Sequence, residues 1–249
     1  MKVVIHPDFN HVADFIKRLP QQFERDGELL YEGRNTVKRY RVNGEILVVK
    51  KYKQPNIIQR ITYTFFKKSK TERAYLFAGI LRDRGIDTPH EVAYIEKKIG
   101  GLFRDGYFVS LSCDYPPMSD LLWKRHFDTL PADELTTFLV ELHKKGVLHG
   151  DLNLTNILYH IDEQGKYQFT LIDTNRSKFK TTLTQKECME NLKRLTHGKA
   201  LLRYVVLRYA ALRNWDPREC ALEVFHYLLQ FEAKRRKKRR IQTLIGIKK

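Results

Sequence analysis

A chain of 249 residues is long enough for one large domain or two small lobes, and 42% hydrophobic with 12% aromatic content excludes a disordered chain. Three cysteines without a close-spaced pair, Cys113, Cys188 and Cys220, suggest neither a disulfide framework nor a zinc site, so a reducing cytosol is expected. The net charge of +17 points to an anionic partner. The apolar run 3–5 is too short for a signal-peptide core, and no stretch approaches a transmembrane span of ~20 apolar residues.

In chain order, residues 29–31, 37–42 and 46–51 are short β-rich runs, and Asn43-Gly44 between the last two is a hairpin turn. Residues 54–68 are basic and aromatic and receive no assignment. Ser69-Lys70-Thr71-Glu72 reads as a capping box opening a helix. Ala74, Phe77, Ala78 and Leu81 form its apolar stripe and Gly85 its stop. Residues 92–97 and 107–113 then read as antiparallel strands around Gly100-Gly101.

Cys113-Asp114-Tyr115-Pro116-Pro117 cannot continue a central strand. Beyond it the chain reads as mostly helical. Pro131 suits a first helical turn, Leu135, Phe138, Leu139 and Leu142 follow at helical spacing, and Gly146 stops the helix. Residues 157–161 and 167–172 form a hairpin about Glu163-Gln164-Gly165, and residues 183–232 read as two or three helices. The last sixteen residues carry nine positive charges and no acid. They read as a solvated disordered end, as a segment for an anionic membrane, with Ile241, Leu244, Ile245 and Ile247 dipping into the interface, or as a segment for nucleic acid, and the tail alone does not separate the three.

The chemistry centres on His149-Gly150-Asp151-Leu152-Asn153-Leu154-Thr155-Asn156, followed by Leu171-Ile172-Asp173. Phosphoryl transfer needs ATP phosphates held by charge, magnesium held by oxygen ligands and an acceptor hydroxyl aimed in line. Asp151 is the candidate base, with His149 bracing the loop. Asn156, five residues on, and Asp173, seventeen further, are candidate magnesium ligands. Val48-Val49-Lys50 is an apolar strand ending in a candidate phosphate-anchoring lysine, and Glu72, 22 residues on, is its candidate partner. Taken singly, each has an ordinary explanation as a surface lysine, a capping glutamate or a turn residue. Their joint order argues for a kinase-type enzyme.

At these residues, and at Ser69-Lys70-Thr71-Glu72-Arg73 and Gly85-Ile86-Asp87-Thr88-Pro89, the chain resembles the lipopolysaccharide kinase family, the Kdo/heptose kinases, over roughly residues 28–180. The resemblance implies an α+β, two-lobed protein-kinase-like fold, with a small antiparallel sheet and one main helix in the N-lobe and a mostly helical C-lobe. The whole chain, 1–249, would be one such domain: N-lobe about 28–113, hinge about 113–118, C-lobe about 119–233, basic tail 234–249. It further implies ATP and Mg2+ as cofactors and a Kdo or heptose sugar of lipopolysaccharide core as acceptor. Asp151 would be the base, Asn156 and Asp173 the metal ligands, and Lys50 with Glu72 the ATP anchor. The expected location is the cytoplasmic face of the inner membrane, with the basic tail on anionic lipid and no nucleic-acid partner.

Asn153 stands where protein kinases carry lysine, and Gly150 replaces the arginine that senses activation-loop phosphorylation. Both favour a sugar over a peptide acceptor. No GxGxxG is present, Gly33 being the only glycine in the expected phosphate loop. Thr174 and Asn175 replace the Phe and Gly that usually follow the metal-binding Asp. Arg60, Lys67, Lys68, Lys70, Arg176, Lys178 and Lys180 are candidate acceptor-side cations. A small-molecule or protein kinase, and a non-catalytic pseudokinase docking on membrane or nucleic acid, are the alternatives.

Overall fold

In a computed structural model that describes residues 1–244, the chain divides into two compact units. The first comprises Met1–Tyr115 and Thr170–Arg176, the second Pro116–Phe169 and Ser177–Lys249. The fold is α+β, with the large antiparallel sheet in the first unit and most of the helices in the second.

The first unit is a six-stranded antiparallel sheet with helices. Its elements are β1 (Lys2–Ile5), α1 (Ala13–Gln22), β2 (Glu28–Glu32), β3 (Thr36–Val42), β4 (Glu45–Lys51), α2 (Ile57–Phe65), α3 (Lys70–Asp83), β5 (Glu91–Ile99) and β6 (Leu102–Leu111), with sheet order β1-β5-β6-β4-β3-β2. The β3–β4 turn works as its sequence demands: Asn43 and Gly44 both take positive φ, 48° and 85°, which fits the right-handed strand twist. Leu47 and Val49 alternate onto the face covered by Ile16, Leu19 and Phe23 of the N-terminal segment, all fully buried. Lys50 therefore projects from the other face. On β6, Gly106 lets the sheet approach α3: an added Cβ would lie 2.7 Å from Thr71 Cγ2.

Residues 1–27, given no element by the sequence reading, supply both an edge strand and much of this core. The unassigned 54–68 stretch contains α2, capped by Asn56 Oδ1 accepting from Gln59 N at 2.9 Å. At α3, half of the expected capping box forms: Ser69 Oγ accepts from Glu72 N at 3.1 Å, while the Glu72 carboxylate turns to Lys2.

In the second unit, α4 (Ser119–Leu122), α5 (Thr129–Lys144), β7 (Val147–Leu148), β8 (Ile157–Ile161) and β9 (Tyr167–Leu171), whose last two residues belong to the first unit, precede β10 (Lys178–Phe179), α6 (Gln185–Leu192), α7 (Lys199–Arg213) and α8 (Pro217–Leu244). Leu135, Leu139 and Leu142 of α5 pack in a helical core with Met189, Val205, Tyr209 and Val224. A complete capping box, Thr184 with Glu187, opens α6. The tail corrects one expectation. Residues 234–240 are not a disordered end but continue α8, because Lys and Arg are good helix formers and no Gly or Pro intervenes. Ile245 and Ile247 lie outside the described residues.

Candidate active site

The first unit carries the candidate ATP anchor. Lys50 Nζ lies 2.7 Å from Asp173 Oδ1, with both side chains largely shielded. The same oxygen accepts a 2.7 Å hydrogen bond from Asn175 Nδ2. Asn175 is buried and also reaches the hydroxyl of Tyr52, at 3.5 Å. Burial, then the charge of Asp173, pushes that hydroxyl far above the usual tyrosine range. Asp173 itself has φ 57°, a left-handed conformation that a non-glycine residue adopts only where its surroundings impose it. They do so here. Leu171 N donates to Asp87 O at 2.9 Å and Thr88 Oγ1 donates to Leu171 O at 2.7 Å, pinning the strand end before Asp173.

Two of the expected ATP contacts are not found. Glu72 pairs with Lys2 Nζ at 3.5 Å rather than with Lys50, whose charge is taken by Asp173. Gly33 lies in the tight β2–β3 turn, where its N–H donates to Asn35 O at 3.1 Å and is not offered to a phosphate.

The first unit also holds a cationic cluster around Lys70. Burial, then the charges of Arg34, Arg176 and Arg73, pulls the Lys70 ammonium below the usual lysine range. Arg73 Nε is buried without a hydrogen-bond partner among the described residues. Four cations with an orphaned donor fit a polyphosphate, whose oxygens would satisfy both. The other candidate acceptor-side cations are employed otherwise. Arg60 Nε donates to Phe103 O at 2.9 Å, Lys180 pairs with Glu187, Lys178 lies on β10, and Lys67 and Lys68 are exposed beyond α2.

The second unit carries the candidate base. After β7 the chain makes a loop closed on Asp151: both Asn153 Nδ2 and Asn156 Nδ2 donate to Asp151 O at 2.9 Å. Asn153 Oδ1 accepts from Thr155 N at 2.9 Å, capping the short 3-10 turn Leu154–Asn156. With its nitrogen so engaged, Asn156 presents Oδ1, a hard oxygen that fits magnesium, as does the Asp173 carboxylate in the first unit. His149 is buried, and its Nδ1 accepts from Asp151 N at 3.2 Å.

Behind the loop runs a buried polar chain. Asn191 Nδ2 donates to His149 O at 2.8 Å, which leaves Asn191 Oδ1 to accept from His143 Nε2 at 3.0 Å. His143 Nδ1 must then accept from the Tyr209 hydroxyl, 2.9 Å away. Burial pulls the His143 imidazole down to about 4, so it is neutral.

Arg194 was invisible in the motif. Its guanidinium lies 2.5 Å from Asp151 Oδ1 and stacks over the Phe231 ring at 5.1 Å. The next residue, Leu195, accepts from Leu154 N at 3.1 Å, and Thr196 then lines a groove of about 510 Å3. Trp123, Phe127, Lys124, Arg125, His197 and Lys199 also line it, with no carboxylate. Aromatic faces with cations suit a sugar bearing anionic groups.

Elsewhere, His6, His90 and Glu91 bring possible ligand atoms within 4.8 Å of one another. Arg82, at 2.8 and 3.1 Å from the two Glu91 oxygens and 2.9 Å from His90 Nε2, already satisfies them without a metal.

The family model of the lipopolysaccharide kinase (Kdo/WaaP) family matches residues 37–215. That span includes Lys50, Glu72, His149, Asp151, Asn153, Asn156 and Asp173 but neither Gly33 nor Arg34. Among solved structures, one described as WaaP in complex with acyl carrier protein aligns with TM-score 0.62 at 15% identity, covering 95% of this chain and 99% of that one. The Rio2 kinase of Chaetomium thermophilum, in its ADP/Mg2+-phosphoaspartate complex, aligns with TM-score 0.48 at 14% identity, covering 89% and 76%. No curated protein matches the chain.

Proposed function

This chain belongs to the lipopolysaccharide kinase (Kdo/WaaP) family and is a phosphotransferase, and we propose that it transfers the γ-phosphate of ATP to a hydroxyl on an inner-core sugar, Kdo or heptose, of lipopolysaccharide. The observation that carries the proposal is the family match across residues 37–215, which takes in Lys50, Asp151, Asn156 and Asp173 together.

In this reading Asp151 receives the acceptor hydroxyl's proton as the sugar oxygen bonds to phosphorus and the bond to the β-phosphate oxygen breaks. Arg194 and the amides of Asn153 and Asn156 hold Asp151 in place for that transfer. Asn156 Oδ1 and the Asp173 carboxylate would each offer magnesium an oxygen, and Asn175 orients the carboxylate. When bound, magnesium neutralises charge on the phosphate oxygens. Lys50 and the Arg34, Lys70, Arg73 and Arg176 cluster hold phosphate by charge. The groove beside Thr196 receives the anionic sugar, with Trp123 or Phe127 under its ring.

No helix among the described residues is long and apolar enough to cross a membrane. With a glycolipid acceptor, the chain acts as a peripheral protein at the cytoplasmic face of the inner membrane.

Mass spectrometry of core oligosaccharide from cells with and without the gene tests the assignment. The core should lack one phosphate when the gene is absent. An unchanged core mass contradicts the acceptor assignment.

A further inference from the structure

The helix α2 is folded inside out for a soluble surface. Ile57, Ile58, Ile61, Phe65 and Phe66 expose 55, 71, 42, 68 and 78% of their area, and no residue of α2 is buried. At about 100° per residue, Ile57, Ile58, Ile61 and Phe65 fall within one arc of about 100°. Another side of α2 does the anchoring. Arg60 donates to Phe103 O at 2.9 Å, Thr64 Oγ1 accepts from Phe103 N at 2.9 Å, and the Tyr63 ring meets Phe103 edge-on at 5.7 Å. The helix is thus fixed to β6 by polar and ring contacts, while its apolar stripe remains in water. So large an apolar patch on so short a segment marks an interaction surface.

The surrounding charge identifies the partner. Between Ile46 and Thr71 the chain has seven Lys or Arg and no acid. Lys67 and Lys68 follow directly on Phe65 and Phe66 and are exposed. Arg60 also reaches the carbonyl of Ile99, at 3.5 Å, so α2 neighbours the β5–β6 turn, where exposed Ile99 follows exposed Lys97 and Lys98. Apolar side chains on a convex helix with a cationic rim match an anionic bilayer, where the side chains enter the acyl boundary and the ammonium groups stay among phosphates. A helical protein partner would instead need a groove to receive it.

We infer that α2 is a membrane-docking surface for anionic lipid, formed by Ile57, Ile58, Ile61, Phe65 and Phe66 with Lys67 and Lys68. The surface rests on no assumption about the phosphoryl-transfer site.

The test is co-sedimentation of the full chain with vesicles of phosphatidylcholine alone or with 30% phosphatidylglycerol added. Because both phenylalanines are already exposed, F65S/F66S should fold normally. Its binding to the anionic vesicles should fall at least about tenfold, with soluble-acceptor kinase activity unchanged. K67E/K68E should lose a similar factor on anionic vesicles only. A Phe66→Trp variant should shift its emission to the blue on anionic vesicles and be quenched by brominated lipid. Three results would overturn the inference: equal anionic-vesicle binding by wild type and F65S/F66S, which assigns binding to the basic end of α8; an unquenched Trp at position 66; or a lipid-independent dimer abolished by F65S/F66S, which assigns the face to a second copy of the chain.

Discussion

A guanidinium 2.5 Å from one oxygen of the candidate base ties Asp151 to Arg194. Replacing Asp151 with Ala should lower kcat by about 10³-fold, in the range lost with a general base, leaving KM for ATP nearly unchanged. Arg194→Ala should lower kcat about tenfold with KM for ATP unchanged, and Arg194→Lys should restore part of it; a kcat unaffected in both variants would remove Arg194 from the site. Asn175 acts on Asp173, so Asn175→Ala should raise the magnesium concentration needed for half-maximal rate several-fold, which a titration of rate against magnesium measures. Asp151, Asn156, Asp173 and Lys50 stand out as candidates in the sequence because the chemistry of phosphoryl transfer prescribes both residue type and order. Asn175 was read as a departure from the kinase pattern, although its amide holds the carboxylate that the missing glycine would have left bare. Arg194 had no signal at all: it lies 43 residues beyond Asp151, just past α6, and only the fold brings them together. The Lys50–Glu72 pairing failed because Asp173 and Lys2 compete for the two charges.

At the scale of elements, α5, α6 and α7 are tied to the loop after β7 through His143, Asn191 and Tyr209. His143 is fully buried and neutral, its folded-state value held at about 4 against about 6.5 unfolded. Between those values the unfolded chain binds a proton that the folded chain refuses, so acidification destabilises the fold. Relative to His143→Gln, wild type should lose about 3 kcal/mol of stability as pH falls from 7 to 4, read by urea unfolding at each pH. Parallel pH dependence in the two proteins would contradict the role of His143. Helix and hairpin signals read well where local chemistry decides, as at Asn43-Gly44, Ser69 and Gly100-Gly101. They failed where packing decides. Phe9, Val12, Ile16, Leu19 and Phe23 recur at helical spacing, yet Pro20 interrupts the pattern and a 3-10 turn precedes the helix, which hides the segment from a periodicity reading. The helix α2 was obscured differently: its exposed isoleucines and phenylalanines resemble a core stripe, with no core against them.

For the molecule as a whole, the fold class was legible because strand-rich and helix-rich halves meet at Pro116-Pro117. The return of residues 170–176 to the first unit was not, since it depends on Tyr52, Asp87 and Thr88 meeting a strand end some 80 to 120 residues away. Nucleotide binding should stabilise the chain through Lys50 and the Arg34–Arg176 cluster. At a hundredfold excess over Kd, Mg-ATP should contribute about 2.7 kcal/mol, a rise of roughly 5–10 °C in Tm. Lys50→Met should abolish most of that rise in a thermal-shift assay, and a full rise in the variant would exclude Lys50 from nucleotide binding. The central claim is phosphoryl transfer to the core sugar with Asp151 as base. Purified protein, γ-labelled ATP, magnesium and dephosphorylated core oligosaccharide test it in one reaction: the account predicts label in the oligosaccharide with wild type and at least about 10³-fold less with Asp151→Ala. Undiminished transfer by the variant, or label that never enters the oligosaccharide with wild type, would contradict it.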